Sequence, residues 1–366
     1  MIDLESLLAD MVERRASDVF IKAGSRPSMR IDGTIYVTEY EAVSVEDAFQ
    51  KAQELMTEKQ WEFFQERPEM DLALGLRGVG RFRVNVFRQR GSLGLVFRHV
   101  AGSSMTFEDL NLPASVRELS ERHRGLVLVT GTTGSGKSTT LAAMINHINE
   151  MRRCHIVTIE DPIEFLHADN MSIVNQREIG FDTMSFSDAL KHVLRQSPDV
   201  ILIGEMRDLE TIQTAVNAAE TGHLVFSTLH TIDAVQTVER IINYFPAYLH
   251  AQIRMELGLS LQGIISMRLL PHASGKGRIP AVEIMIGTPL IRKLLHEGKT
   301  LELPQYIEQG AHVGMQTFNQ SLFRLTQNKM VRKEDALAYA TSPDELLLML
   351  EGIGTGVRAG GDGVFA

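Results

Sequence analysis

The sequence predicts an α/β protein with two domains, an α+β domain followed by a domain with a mostly parallel sheet. Two patterns and the length predict this. Over residues 1–100, short strand-like runs are mixed with segments of helical spacing. Over residues 113–350, apolar strand-like runs alternate with helical segments, as in a parallel sheet. The length of 366 residues is also typical of two or more domains.

The composition limits the class of protein. A hydrophobic content of 44% with 23% charged residues is that of an ordinary globular chain. The net charge of −9 argues against a surface devoted to nucleic acid. The single cysteine, Cys154, excludes an intramolecular disulfide and a cysteine zinc site, which fits a reducing compartment. Because no apolar run is long enough to span a bilayer and no signal peptide begins the chain, we expect a cytoplasmic protein.

The first domain, residues 1–100, is predicted to open with a helix, because Leu4, Leu7 and Leu8 are spaced to bury one face. Helical spacing returns over Ser44–Gln65. The glycine pattern of residues 75–80 indicates a turn. The predicted strands are Asp18–Lys22, Ser28–Ile31, Gly33–Val37 and two strands within Gly80–Arg98, broken at Gly91.

Residues 101–112 are predicted to link this domain to the second one, residues 113–350. After a first strand at 126–129, strands are predicted at Cys154–Ile159, Asp199–Ile203 and His223–Thr228. Helical periodicity dominates Ala247–Leu270 and Pro289–Ala340. The glycine-rich tail, residues 351–366, has little to bury, so we expect it to be disordered.

A P-loop lies at the start of the second domain. Residues 131–138 read GTTGSGKS, between an apolar strand and a helix predicted over 138–150. Its glycines let backbone N–H groups face the phosphates of a nucleoside triphosphate, while Lys137 reaches the β- and γ-phosphates and Ser138 holds Mg²⁺. The predicted nucleotide-binding residues are Gly131, Thr132, Thr133, Gly134, Ser135, Gly136, Lys137, Ser138 and Thr139.

Two acidic clusters follow predicted strands. Glu205 ends an apolar strand, which indicates a role near Mg²⁺ through a bound water, although an exposed strand-end residue would look the same. Around Pro162, a turn presents Glu160, Asp161 and Glu164. Of these, Glu164 is the candidate general base. Acidic turns are common, so the cluster alone is only moderately specific.

The remaining candidates are histidines and arginines. His223 and His230 are seven residues apart, a spacing that points strand side chains to opposite faces, so we do not expect them to chelate one ion. One of them is a candidate sensor of the γ-phosphate or a subunit contact; both could also be structural. Arg81, Arg83 and Arg98 end the first domain. They form either a solvated strand face or an inter-domain set that neutralises phosphate charge.

Together these motifs resemble the hexameric secretion-superfamily ATPases, and within them the PilT/PilU type of type IV pilus retraction ATPase. The resemblance covers nearly the whole chain. It rests on the P-loop and on three further motifs: residues 158–165 (TIEDPIEF), residues 204–208 (GEMRD) and the two histidine segments, 219–223 (AETGH) and 228–231 (TLHT).

The resemblance implies a PAS-like first domain, a RecA-like second domain with a helical C-terminal part, and a homo-hexameric ring with ATP between the domains. It implies that Glu164 activates water, that Glu205 acts on Mg²⁺ through water, and that arginines matching Arg81, Arg83 and Arg98 approach the phosphates. It further implies pilus retraction through an inner-membrane platform protein, with peripheral membrane contact only, no nucleic acid, and a paralogous retraction ATPase as a further candidate partner.

Two departures keep alternatives open. Residues 290–297 read LIRKLLHE, where retraction ATPases carry a helix similar to AIRNLIRE. The C-terminal part looks more like the PilU branch, which favours an accessory subunit dependent on a partner ATPase. A pilus or type II secretion assembly ATPase would carry a longer N-terminal region and a four-cysteine zinc element. A RecA-like nucleic-acid translocase and a scaffold subunit without hydrolysis complete the alternatives.

Overall fold

The computed structural model describes residues 2–100, 102 and 105–353. The chain divides into two compact units. The first is Met1–Gly102 with the short segment Glu164–Leu166, and the second is Ser103–Ile163 with the residues from His167 onward. Most of the tail predicted to be disordered, residues 354–366, lies outside the described residues, as do residues 101, 103 and 104 of the predicted linker.

The first unit is an α+β fold whose described strands form one antiparallel sheet in the order β3-β2-β1-β6-β5-β4. Its elements are α1 (Leu4–Glu13), β1 (Asp18–Lys22), β2 (Ser28–Ile31), β3 (Thr34–Val37), α2 (Val45–Glu54), α3 (Glu58–Glu66), β4 (Glu69–Leu76), β5 (Gly80–Gln89) and β6 (Ser92–Val100).

The local sequence explains these elements. Asp3 caps α1 by accepting the N–H of Ser6, and Leu7, Leu8 and Met11 form the buried face of that helix. The predicted helix and the strands at β1 to β3, β5 and β6 are confirmed within a few residues.

Strand β5 alternates as the sequence predicts. Phe82 and Val84 are buried, while Arg81 and Arg83 lie on the other, partly exposed face. Strand β4 was not predicted. Gly75 lies within β4 and pairs with Arg81, so only the part of the glycine pattern after Leu76 forms the turn.

The second unit contains a larger sheet in the order β13-β12-β7-β11-β10-β8-β9, parallel except for the β12–β13 pair. Its described strands are β7 (Gly125–Thr130), β8 (His155–Glu160), β9 (Ile173–Glu178), β10 (Val200–Ile203), β11 (Leu224–Leu229), β12 (Leu261–Pro271) and β13 (Arg278–Ile286).

Helices accompany this sheet along the chain. They are α4 (Ala114–Ser120), α5 (Lys137–Met151), α6 (Phe186–Val193), α7 (Leu209–Glu220), α8 (Ala234–Asn243), α9 (His250–Ser260), α10 (Pro289–Glu297), α11 (Leu303–Gln309), α12 (Phe318–Gln327), α13 (Lys333–Tyr339) and α14 (Pro343–Leu350), with 3-10 turns at Ala247–Leu249, Thr300–Glu302 and Gly310–Val313. Nowhere in residues 2–100, 102 and 105–353 does a helix have the length and apolarity needed to cross a bilayer.

The four strands predicted up to Thr228 are confirmed as β7, β8, β10 and β11, each within one residue at its ends. The helical prediction over Ala247–Leu270 is wrong in its second half, because α9 ends at Ser260 and β12 follows. Periodicity cannot separate a short buried strand from a buried helix segment. Here the tertiary context decides, because β12 pairs with both β7 and β13. The strand is closely packed at Gly263, where a Cβ would lie 2.8 Å from the Leu119 side chain and 2.9 Å from the Met285 carbonyl oxygen.

Strands β9 and β13 were also not predicted, whereas the helical prediction over Pro289–Ala340 is confirmed by α10 to α13. Phe107, in the stretch predicted as a linker, is buried in the core of the second unit. The second unit therefore includes residues before 113.

Candidate nucleotide-binding site

The P-loop connects β7 to α5, and its backbone depends on glycine at defined positions. All of β7 is buried, and Gly136 caps α5 with a φ of +100°. Gly131 has a φ of +143°, and a Cβ there would lie 2.4 Å from the Ser135 hydroxyl and 2.6 Å from the Met267 carbonyl oxygen. Both positions therefore favour glycine, and the loop ends at a helix N-terminus, where backbone N–H groups favour an anion.

Lys137 is folded onto this loop. Its ammonium group donates to the carbonyl oxygens of Gly131 and Thr132, at 2.8 and 3.0 Å. Burial lowers the pKa of Lys137 from its usual value. A phosphate beside this ammonium would offset the loss of hydration, because an anion stabilises the charged form.

Ser135 supplies an independent test of the predicted ligand. Its side chain is 3% exposed, and its hydroxyl has no hydrogen-bond partner among the described residues. Buried polar atoms without partners are rare. A phosphate oxygen would provide the missing acceptor, so the loop fits the predicted nucleotide. Ser138, the predicted Mg²⁺ ligand, is exposed and free to meet an ion from solvent.

Glu205 follows β10 through Gly204. Thr228 ties this strand end to β11, since its hydroxyl donates to the Gly204 carbonyl oxygen at 2.6 Å. The Glu205 side chain is 12% exposed and forms an ion pair with Arg207. Its second oxygen lies 3.2 Å from Nε2 of His230. The structure therefore brings two predicted site residues, Glu205 and His230, into direct contact.

The positive charge of the P-loop lysine also acts on His230. Its pKa lies below the usual value of 6.5, first because of burial and then because of the positive charges of Lys137 and Arg207. The ring is therefore neutral at pH 7, and it can donate one hydrogen bond from Nε2 to the Glu205 carboxylate.

His223 lies in a different setting. It precedes β11, and its Nδ1 is 3.0 Å from the carbonyl oxygen of Ala218, near the end of α7. Across the described part of the chain, no group of three or more His, Cys, Asp or Glu side chains is arranged to hold a metal ion. The two histidines thus make separate contacts, as their spacing indicates.

Two glutamates of the acidic turn after β8, Glu160 and Glu164, belong to different units of the structure. Glu160 accepts a hydrogen bond from the hydroxyl of Thr158 at 2.7 Å and another from the side-chain amide of Gln176 at 3.2 Å, within the second unit. Glu164 instead belongs to the first unit. Its carboxylate lies 3.2 Å from a guanidinium nitrogen of Arg83.

The three candidate arginines of the first unit differ in their contacts. Arg98 binds the buried carboxylate of Asp18 at 2.9 Å, and Arg30 also pairs with that carboxylate at 3.2 Å. Arg81 lies on β5 opposite Val100 of β6. Arg83 forms an ion pair with the candidate base, Glu164.

Two contacts were missed from the sequence. Arg207 pairs with Glu205, and its position two residues downstream of that carboxylate was the available signal. Gln176 holds Glu160 from β9, a strand that the sequence did not predict, so no local signal existed.

Known proteins resemble this chain over most of its length. A sequence model of the family described as "Type II/IV secretion system protein" matches residues 1–285. The type IV pilus ATPase PilU of Pseudomonas aeruginosa is 44% identical over 350 residues, which cover 96% of this chain and 92% of that protein. The type IV pilus retraction ATPase PilT of the same organism is 44% identical over 343 residues, covering 94% and 99%. A crystal structure of the pilus retraction motor PilT with bound ADP superposes with a TM-score of 0.85 at 46% identity, covering 94% of this chain and 99% of that one.

Proposed function

Because the chain belongs to the type II/IV secretion system protein family, we propose that it is an ATP-hydrolysing motor that drives type IV pilus retraction and thereby twitching motility. The observation that carries the proposal is the P-loop, in which a buried Lys137 and a Ser135 hydroxyl without a partner in the described part of the chain lie at a helix N-terminus that favours an anion. The near full-length similarity to PilT and PilU supports the motor function.

Residues 131–139 bind the phosphates of ATP in this proposal. The backbone N–H groups of the loop and Lys137 contact the β- and γ-phosphates, and Ser138 binds Mg²⁺ directly, with Glu205 acting through a bound water. The metal ion, when bound, neutralises charge that develops on the phosphate oxygens. His230 holds the Glu205 carboxylate in one orientation through their 3.2 Å contact.

Glu164 is the proposed general base that activates water, and Arg83 orients its carboxylate. The support is the ion pair of 3.2 Å between them together with the match of residues 158–165 to the family motif. Glu160 is less suited to this role, because hydrogen bonds from Thr158 and Gln176 already occupy its carboxylate.

For the assembly, we propose a homo-hexamer in the cytoplasm, at the inner face of the cytoplasmic membrane. Its partners are an inner-membrane pilus platform protein and, in one variant of the proposal, a paralogous retraction ATPase. The support is the similarity to pilus ATPases along nearly the whole chain.

A second candidate is an accessory subunit that depends on a partner ATPase. One observation favours it: the chain is as similar to PilU, at 44% identity, as it is to PilT. The two candidates predict different behaviour of the purified chain.

The test is Mg²⁺-dependent ATP hydrolysis by the purified full chain, with the oligomeric state and ATP binding measured in the same buffer. Turnover by a hexamer supports an autonomous motor. Binding without turnover, restored by adding a paralogous ATPase, supports the accessory subunit. Stimulation of the rate by duplex DNA would instead favour a nucleic-acid translocase and contradict the proposal.

A further inference from the structure

A row of buried polar side chains crosses three strands beside the P-loop. Thr130 of β7, Ser266 of β12 and Glu283 of β13 lie opposite one another in register. The Thr130 hydroxyl donates to the Ser266 hydroxyl at 3.0 Å, and Ser266 pairs in register with Glu283 across the antiparallel β12–β13 ladder. Thr130 and Ser266 are fully buried. Since Thr130 immediately precedes Gly131, this row links Glu283 to the first residue of the P-loop.

A second line of contacts runs from Glu283 to the histidine beside Glu205. The Glu283 carboxyl group accepts the N–H of Ala234, the first residue of α8, at 2.8 Å. In the first turn of α8, the Thr237 hydroxyl lies 2.7 Å from the Thr231 hydroxyl, and both side chains are buried. Thr231 follows His230 directly. Glu283 therefore joins the end of β7 to the segment that positions Glu205.

The charges around Glu283 make both of its protonation states accessible near neutral pH. Burial raises the pKa of Glu283 to about 7, and the negative charge of Asp233 contributes to the rise, against the opposing effects of the Ala234 N–H, Ser266 and Arg268. Asp233 caps the same helix by accepting the N–H of Gln236. Arg268, on β12, is held over the Phe318 ring at 3.8 Å.

The proton on Glu283 decides the direction of the hydroxyl row. An ionised carboxylate only accepts, so a hydrogen bond from Ser266 to it would leave Ser266 accepting from Thr130, which is the direction of the Thr130–Ser266 bond in the structure. A protonated Glu283 can donate to Ser266, and Ser266 can then donate to Thr130. Protonation would therefore reverse the hydrogen bond that ends at Thr130, the residue before the P-loop, inside an environment where such bonds are strong.

We propose that Glu283 is a positioning residue of the ATPase site, and that its ionised form holds the P-loop strand and α8 in the arrangement that supports fast turnover. The inference rests on the proposed ATPase function. It assigns to Glu283 a role that acts through Thr130 and through the His230 segment, without contact with the nucleotide.

The experiment compares the wild-type chain with Glu283→Gln, which is neutral at every pH, and with Ser266→Ala, which interrupts the row. Glu118→Gln, an exposed carboxylate on α4, is the matched control. The turnover rate and the affinity for ATP are measured from pH 6 to pH 8, together with the melting temperature of each variant.

For a group with a pKa of about 7, the ionised fraction rises about tenfold between pH 6 and pH 8. We expect wild-type turnover to rise by up to about that factor between pH 6 and pH 8. Glu283→Gln should lack this rise, and its turnover rate at pH 8 should be close to the wild-type rate at pH 6. Ser266→Ala reduces the rise, and Glu118→Gln keeps it.

The melting temperature separates positioning from mere structural support. A carboxyl whose pKa is raised in the folded state is destabilising when it ionises, so its contribution to stability falls as pH rises from about 4.5 to about 7. Glu283→Gln removes that ionisation. We therefore expect Glu283→Gln to melt at pH 8 at the wild-type temperature or above while turning over more slowly.

Three outcomes would overturn the inference or locate the error elsewhere. Parallel pH profiles of wild type and Glu283→Gln refute the role of Glu283 while leaving the ATPase function intact. A slower Glu283→Gln that also melts earlier at pH 8 shows a structural role only. If wild type hydrolyses ATP at no pH, the proposed function fails. The inference is then tested by ATP affinity, which must depend on pH in wild type and must not depend on pH in Glu283→Gln.

Discussion

The P-loop and the segment Glu164–Leu166 each follow a strand of the same sheet, yet different kinds of contact hold them. The P-loop is fixed by its own backbone: Gly131 and Gly136 adopt conformations that favour glycine, and Lys137 binds the carbonyl oxygens of its own loop. Glu164 is held by Arg83, and Leu166 forms a bridge with Gly102, so this segment belongs to the first unit.

The comparison separates two ways of building a site. A motif whose contacts are mostly local takes its backbone geometry largely from its own residues, so changes elsewhere in the chain adjust it and do not abolish it. A residue whose contacts come from distant segments depends on those segments. Substitutions in the P-loop should therefore abolish ATP turnover. Substitutions around Glu164 should reduce turnover by an amount that depends on how many contacts they remove.

The largest effect is expected from Lys137→Ala. The substitution removes the ammonium group that lies on the P-loop and that neutralises phosphate charge, so turnover should fall about 10³-fold or more. Steady-state ATPase assays at saturating Mg²⁺-ATP measure this. The melting temperature of the variant without nucleotide should change little, because a partly desolvated charge is removed. An unchanged rate would refute the P-loop assignment.

Glu164→Gln comes next and separates binding from hydrolysis. The amide keeps the size and a hydrogen-bond acceptor for Arg83 but cannot take a proton from water, so we expect turnover to fall about 10²- to 10⁴-fold. ATP affinity, measured with a fluorescent analogue, should stay within about threefold of wild type. Glu160→Gln is the matched control, because that carboxylate is held by Thr158 and Gln176. If Glu160→Gln is the inactive variant, the general base is Glu160, before Pro162, and not Glu164.

Arg83→Ala tests the contact that distinguishes the second region. An ion pair of this exposure stabilises by only about 0.2–1 kcal/mol, so the fold should tolerate its loss. Turnover should nevertheless fall by about tenfold, because the Glu164 carboxylate is no longer oriented. Arg98→Ala is the comparison: Arg98 pairs with Asp18, which retains Arg30, so the rate of this variant should stay close to wild type. The reverse order of the two rates would show that Arg98 is the functional arginine.

The same distinction explains what could be predicted from the sequence. The P-loop, β7 and the alternation of β5 were predicted because their patterns are local. Strands β4, β9 and β13 and the second half of Ala247–Leu270 were missed, because short apolar runs become strands only through their neighbours in the sheet. Glu205 was predicted as a site residue, but its contact with His230 depends on the parallel pairing of β10 with β11. The row formed by Thr130, Ser266 and Glu283 depends on a β12 that was predicted as helix.

The smallest effect is expected from Ser135→Ala, which tests the contribution of a single hydroxyl group within the P-loop. The substitution removes a buried hydroxyl that has no partner among the described residues, so the free energy of unfolding should stay the same or rise by up to about 1 kcal/mol. If that hydroxyl donates to a phosphate, ATP affinity should fall about three- to tenfold at the same time. Thermal melts with and without nucleotide measure both quantities on one sample. A variant that is more stable yet binds ATP as tightly as wild type would show that the Ser135 hydroxyl does not contact the nucleotide. A loss of stability without nucleotide would show that the hydroxyl supports the fold of the loop itself.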